Sequence, residues 1–151
     1  MIEEKFKLEN QLCFRLYTAS RLITQAYHPL LSEFGLTYPQ YLVLLVLWEK
    51  DGQPVNVIAK RLLLETNTVT PLLKRMEAED VVTRSPGKND ARQIIVKLTK
   101  KGRELQKKLT GVPETVGSAV LCESVTPETV PGLFGMLDDI INQLRIKQND
   151  K

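Results

Sequence analysis

Thr66-Asn67-Thr68-Val69-Thr70-Pro71-Leu72-Leu73-Lys74-Arg75-Met76-Glu77, set between two shorter patterned segments, decides how this chain folds. Before it, Val55-Asn56-Val57-Ile58-Ala59-Lys60-Arg61-Leu62-Leu63-Leu64 is amphipathic at helical spacing, with Val57, Ile58, Leu62 and Leu63 expected to face a core. After it, the β-rich runs Val81-Val82-Thr83-Arg84 and Gln93-Ile94-Ile95-Val96-Lys97-Leu98 flank a polar tip, Ser85-Pro86-Gly87-Lys88-Asn89-Asp90-Ala91-Arg92. Helix, tight turn, second helix and a hairpin with a basic tip predict a winged helix-turn-helix over about residues 54–99. Such a unit lays its second helix in a DNA major groove and drops the hairpin beside it. Thr66 is expected to cap that second helix, Val69, Leu72, Leu73 and Met76 to form its core face, and Pro71 to bend it.

On the N-terminal side, residues 3–34 read as one long helix. Cys13, Leu16, Tyr17, Ser20, Ile23, Tyr27, Leu30 and Phe34 form its apolar stripe, and Pro29 is expected to kink it or end a regular segment at His28. Gly35 stops it. Thr37-Tyr38-Pro39-Gln40 then has the pattern of a capping box with Pro in the first turn. The run from Tyr41 to Trp48 is apolar nearly all round and should lie centrally, ending at Asp51-Gly52.

On the C-terminal side, Thr99 is placed to cap a helix carrying Leu105, Leu109, Val112, Val116 and Val120, interrupted at Gly111 and Pro113. Thr126-Pro127-Glu128 should open a last helix that frays after Ile146. The expected fold is therefore mainly α, a single domain over residues 1–151. It has dimerisation helices at about 3–34 and 100–147 and one small β-hairpin wing. Apolar stripes this long exceed what a small monomer covers, which predicts a homodimer. Its two-fold would set two recognition helices roughly 34–36 Å apart, matching an inverted-repeat operator in double-stranded DNA.

Bulk properties agree with a soluble globular protein: 42% of residues are hydrophobic and 26% charged, too apolar for disorder. A net charge of only +3 means that affinity for nucleic acid must come from local clusters. No apolar run approaches the roughly 20 residues that span a bilayer, and no signal peptide precedes the charged start, so a cytoplasmic protein without membrane association is expected. Cys13 and Cys122 have neither metal-ligand spacing nor the pattern of a disulfide framework, and both are expected to be resting thiols. No cofactor or metal is expected.

Short hydroxyl and amide side chains at the start of a recognition helix reach base edges and phosphates. This marks Asn67, Thr68 and Thr70, with Lys74 and Arg75 a turn later for the backbone. A solvated surface face would look similar, and the wing is what separates the two readings. Arg92 sits two residues after Asp90, whose carboxylate could fix the direction of the guanidinium for a narrow minor groove. Arg84, Lys88 and Lys97 add positive charge to the same hairpin.

Asp90-Ala91-Arg92, five residues, Leu98-Thr99, two residues and Gly102 resembles the signature of the MarR family of winged-helix repressors, and residues 8–144 fit that family's helical plan. The segments Leu8-Glu9-Asn10-Gln11-Leu12-Cys13-Phe14, Leu36-Thr37-Tyr38-Pro39-Gln40-Tyr41 and Thr68 through Glu77 are similar to its organic-hydroperoxide-sensing branch, OhrR. The resemblance implies a dimeric repressor, not an enzyme, released from DNA when organic hydroperoxide oxidises a cysteine. It implies Cys13 as the sensing thiol, Tyr27 and Tyr38 as phenols that hydrogen-bond its thiolate, and Cys122 as a thiol able to resolve the sulfenic acid.

Outside that resemblance, a lone Cys on an apolar helix face is ordinarily a small buried hydrophobe, and Cys122 could be a structural thiol. Cys13 and Tyr27 lie 14 residues apart, about 21 Å along one helix, so they meet only across a dimer. The alternative is a repressor of the same fold released by a small phenolic or aromatic ligand bound between the dimerisation helices and the winged helix. A thiol peroxidase is disfavoured by the absence of a Thr-x-x-Cys or Cys-x-x-Cys context, and His28, the single histidine, has no triad or metal partners. A DNA-coating protein without redox response is a third option.

Overall fold

The computed structural model describes residue 1 and residues 3–149 and arranges the chain in two compact units, 1–112 and 113–151. The first holds α1 (Leu12–Ser32), α2 (Tyr38–Glu49), β1 (Gln53–Pro54), α3 (Val55–Leu62), α4 (Thr66–Ala78), β2 (Val82–Pro86), β3 (Ile94–Leu98) and α5 (Lys100–Lys108). The second holds nearly all of α6 (Val112–Val120) and the whole of α7 (Val130–Asn149). The architecture is mainly helical with a small antiparallel sheet, as expected of a winged helix.

The helix that is apolar all round becomes the centre of the first unit. Tyr41, Val43, Leu44, Val46 and Leu47 of α2 are all buried, and each such side chain taken from water stabilises by about 1.5–3 kcal/mol. α2 starts where the capping box placed it, with the Thr37 N–H donating to Gln40 Oε1 at 2.8 Å. Its end is finished by a side chain: buried Gln53 donates through Nε2 to the carbonyls of Val46 (3.1 Å) and Lys50 (2.6 Å). Val46 O also accepts the Lys50 N–H at 3.3 Å, so Gln53 adds a second bond there and ties the Lys50 carbonyl beyond the helix end. The neighbouring Gln53 and Pro54 form the short β1, which pairs with β3 in the sheet order β1-β3-β2, so the expected hairpin is a three-stranded sheet. Two residues are too few to show alternation in a sequence.

The N-terminal helix, expected over 3–34, is shorter than that at both ends. Residues 4–10 form two 3-10 turns because side-chain amides take the carbonyls that a helix would use. Asn10 Nδ2 donates to Glu4 O at 2.8 Å, and Gln11 Nε2 to Lys5 O at 2.7 Å. α1 then runs through Pro29 to Ser32, so of the two expectations at Pro29, a kink or an end at His28, the end is not realised. Proline removes one hydrogen bond, and the chain continues one more turn before Gly35 (φ +68°) closes it.

In the helix-turn-helix, Ile58, Ala59, Val69, Leu73 and Met76 are at most 2% exposed and form the α3–α4 core. Val57 and Leu63, expected to face that core, are exposed. Ala59 takes the core position beside Ile58, and Leu63 lies past the end of an eight-residue helix in a left-handed conformation (φ 55°). Thr66 is the first helical residue and Glu65 occupies the cap, so the expected Thr66 cap shifts by one.

In the second unit, the chain from Thr126 to Thr129 is a turn, with the Thr126 N–H donating to Thr129 Oγ1 at 2.9 Å and the Val130 N–H to Thr126 O at 3.0 Å. The last helix therefore opens four residues later than expected, and it continues beyond Ile146 to Asn149.

Candidate functional site

The outer face of α4 carries Asn67, Thr68, Lys74 and Arg75, all exposed, with Thr70 half-buried beside them. The Thr70 hydroxyl donates to Thr66 O at 2.8 Å, which spends its proton on the helix and leaves its lone pairs outward as acceptors. Lys74 and Arg75 stand one turn along the same helix, so the face presents uncharged polar side chains first and cations second.

The wing is closed by main-chain bonds at its tip: the Gly87 N–H donates to Gln93 O at 2.8 Å and the Gln93 N–H to Asp90 O at 3.1 Å. A Cβ on Gly87 would lie 2.8 Å from Asp90 O, which accounts for glycine there. Asp90 does position Arg92, but through the backbone. Its Oδ1 accepts the Arg92 N–H at 3.0 Å, so the expected grip on the guanidinium is replaced by an Asx-type turn. Lys88 and Arg92 are exposed at this tip.

Arg84 departs further from expectation. It is half-buried, and its Nε and Nη2 meet Glu77 Oε2 of α4 at 3.0 and 2.9 Å, while its own N–H donates to Glu77 Oε1 at 3.0 Å. This fork holds the Glu77 carboxyl below its ordinary 4.5. Between α3, α4 and the wing lies a cavity of about 280 Å³ lined by Asn56, Thr66, Thr70, Arg84, Arg92 and Gln93 among others. Glu77, Asn56 and Gln93 escaped the sequence reading. A carboxylate seven residues before an arginine, across a helix-to-strand turn, was the one signal available for Glu77.

The wing's base joins it to α2 and α5. Thr99 Oγ1 accepts the Gly102 N–H at 3.0 Å as the cap of α5 and donates to Asp80 O at 2.7 Å. The Leu98 N–H donates to Asp51 Oδ1 at 2.8 Å, and Trp48 Nε1 donates to Gly102 O at 2.9 Å. A Cβ on Gly102 would stand 2.2 Å from Val81 O, so only glycine fits.

The thiol candidates separate. Cys13 is exposed in the first turn of α1, whereas Tyr27, near the other end of that helix, pairs with Tyr38 of α2 at 4.6 Å between ring centroids. Tyr41 lies 5.7 Å from Tyr27 and 6.1 Å from Trp48. Burial pushes both the Tyr27 and Tyr38 phenols above 10.0, with Tyr27 adding to the effect on Tyr38, so each keeps its proton as a donor at neutral pH. Fourteen positions along one straight helix, about 21 Å, keep Cys13 from Tyr27 within a chain. Cys122 is exposed in the turn after α6, where its N–H and carbonyl pair with those of Val125. Among the described residues no cluster of His, Cys, Asp and Glu suits a metal ion, and no helix is long and apolar enough to cross a membrane.

Residues 25–109 match the family model of the transcriptional regulators SarA/Rot. The chain is 45% identical over 118 residues to the organic hydroperoxide resistance transcriptional regulator of Bacillus subtilis (strain 168), covering 76% of this chain and 80% of that protein. Two solved structures of AbfR, a Staphylococcus epidermidis protein, are also similar. Overoxidized AbfR bound to DNA superposes with a TM-score of 0.76 at 40% identity, covering 95% of this chain and 98% of that one. Disulfide-formed AbfR gives 0.63 at 41%, covering 91% and 95%.

Proposed function

The chain belongs to the winged-helix MarR/SarA-type transcriptional regulators, and from that membership we propose a dimeric repressor that releases its operator when organic hydroperoxide oxidises Cys13. The observation that carries this reading is the placement of the sensor groups. Tyr27 and Tyr38 form one protonated donor pair, and Cys13 lies out of its reach on the same helix. A second copy, packed through the exposed apolar side chains of α1 (Leu12, Phe14, Tyr17, Leu22), would bring its own Cys13 to that pair. Phenol donors favour the thiolate, which is the attacking species.

The chemistry balances in two steps. The Cys13 thiolate takes the distal peroxide oxygen, giving sulfenic acid and an alcohol. The Cys122 thiol of the second copy then displaces water and leaves an intersubunit disulfide. Cys122 is exposed, as that attack requires. The relative AbfR supports a resolving thiol over simple overoxidation, since its overoxidized form is DNA-bound and a disulfide form also exists. Asn67, Thr68 and Thr70 are the base-side readers, with Lys74, Arg75, Lys88 and Arg92 on phosphates and the minor groove, on an inverted-repeat duplex. A reducing cytoplasm suits resting thiols, and both compact units serve this one regulator.

The test is binding of the reduced protein to DNA upstream of its own gene at fixed salt, before and after stoichiometric organic hydroperoxide. Loss of binding, reversed by a thiol reductant and absent in Cys13→Ser, is expected. Tight binding that ignores peroxide would defeat the sensor reading and leave DNA binding standing. Release by a phenolic ligand is the second reading. The cavity beside Arg84 and Arg92 favours it, although that cavity lies between the reading helices and the wing, away from where such a ligand was expected. A Cys13→Ser protein that still responds to a phenolic acid would select this reading.

A further inference from the structure

Glu77 is not among the exposed polar side chains of α4's outer face, yet it ties that helix to the wing. Its two oxygens accept one main-chain N–H and two guanidinium nitrogens of Arg84, all within 3.0 Å. Main chain and side chain of β2 are thus held by one carboxylate, and the Arg84 Nη1 stays outside the fork. Arg84 in turn lines the cavity between α4 and the wing together with Arg92, Thr66 and Thr70. When a recognition helix and a wing occupy adjacent grooves, the strand that separates those grooves passes between them.

We propose that Glu77 is a positioning residue for operator binding: it presents the free edge of the Arg84 guanidinium to that phosphate strand and sets the distance from recognition helix to wing. The inference rests on the DNA-binding reading above and deepens it. An arginine already fixed in a two-nitrogen fork loses little side-chain freedom on meeting phosphate, whereas a released one must be ordered at that moment. Simple charge counting gives the opposite sign, because deleting a carboxylate near DNA reduces repulsion and should tighten binding. The two accounts therefore part on direction, not only on size.

The experiment measures Kd of the reduced full-length protein for a duplex from upstream of its own gene and for sonicated genomic DNA, across a salt series. Wild type, Glu77→Gln, Arg84→Ala and the double variant are compared. Glu77→Gln is expected to weaken the specific duplex about five- to tenfold and to lower the salt slope by about 0.9, one phosphate contact, and to weaken genomic DNA as well, since a phosphate contact is independent of sequence. In the Arg84→Ala background it should add nothing. Equal or tighter specific binding by Glu77→Gln, or an undiminished loss without Arg84, would overturn the assignment. The second comparison holds even where Glu77→Gln lowers the melting temperature. A wild type that shifts neither DNA sample overturns the DNA-binding reading as well, so the two failures are told apart by which protein fails.

Discussion

Gly102 is the residue on which the wing's base closes. Its carbonyl accepts the Trp48 indole N–H, its N–H is capped by Thr99, and its Cα faces Val81 O with no room for a methyl group. Gly102→Ala should therefore destabilise by about 1–3 kcal/mol through overpacking against a backbone atom that cannot swing aside, read as a lowered urea midpoint at unchanged m. Glu77 makes a pH prediction at the same scale. Its folded carboxyl titrates below the ordinary 4.5 because Arg84 bonds to the charged form. Its contribution is fully present above 4.5 and is lost as the pH falls through the lowered folded value. Wild type should thus lose more stability than Glu77→Gln between neutral pH and the acid side of 4.5. Equal losses in urea midpoint would mean that the fork does not survive in solution.

Among the elements, α3 and its turn carry an evident strain. Leu63 ends the helix at φ 55° with its side chain about half exposed, a backbone region that costs a non-glycine residue roughly 1 kcal/mol. Leu63→Gly should raise stability by up to about 1 kcal/mol, provided the lost apolar contact is small. A fall in melting temperature would instead show that the covered half of the Leu63 side chain contributes more than the backbone strain costs. α4 keeps a fixed outer face because its inner face is committed: Val69, Leu73 and Met76 are fully buried, which leaves no rotation free and aims Asn67 and Lys74 outward. α1 differs. Only Leu31 is buried along its 21 residues, and Thr18 Oγ1 is buried without a hydrogen-bond partner among the described residues, so its packing within one chain is incomplete.

For the assembled regulator, the decisive prediction concerns covalent state. After one equivalent of organic hydroperoxide, wild type should run as a dimer on a non-reducing gel and collapse to monomer with dithiothreitol. Cys122→Ser should stay monomeric on the gel and accumulate overoxidized Cys13, seen as added oxygen by mass spectrometry. A Cys122→Ser protein that still forms the covalent dimer would remove Cys122 from the mechanism.

Signals confined to one helical turn were readable in the chain. The Thr37–Gln40 box, the Thr99 cap on Gly102, the buried run of α2 and the inner face of α4 depend on residues three or four positions apart, and they form where their spacing places them. The same holds for Asp90 and Arg92, two positions apart, although which atom Asp90 grips depended on how the tip turned. What the chain did not reveal lies in longer reaches. Asp51 on the Leu98 N–H and Trp48 on the Gly102 carbonyl span 47 and 54 positions, and the Tyr27–Tyr38 pair joins two helices. Even the early start expected of α1 failed because side-chain amides six positions away claimed its carbonyls. Local periodicity sets which face of an element is apolar. Which polar atom then satisfies a given donor is settled only when packed elements bring competing partners within about 3 Å of it.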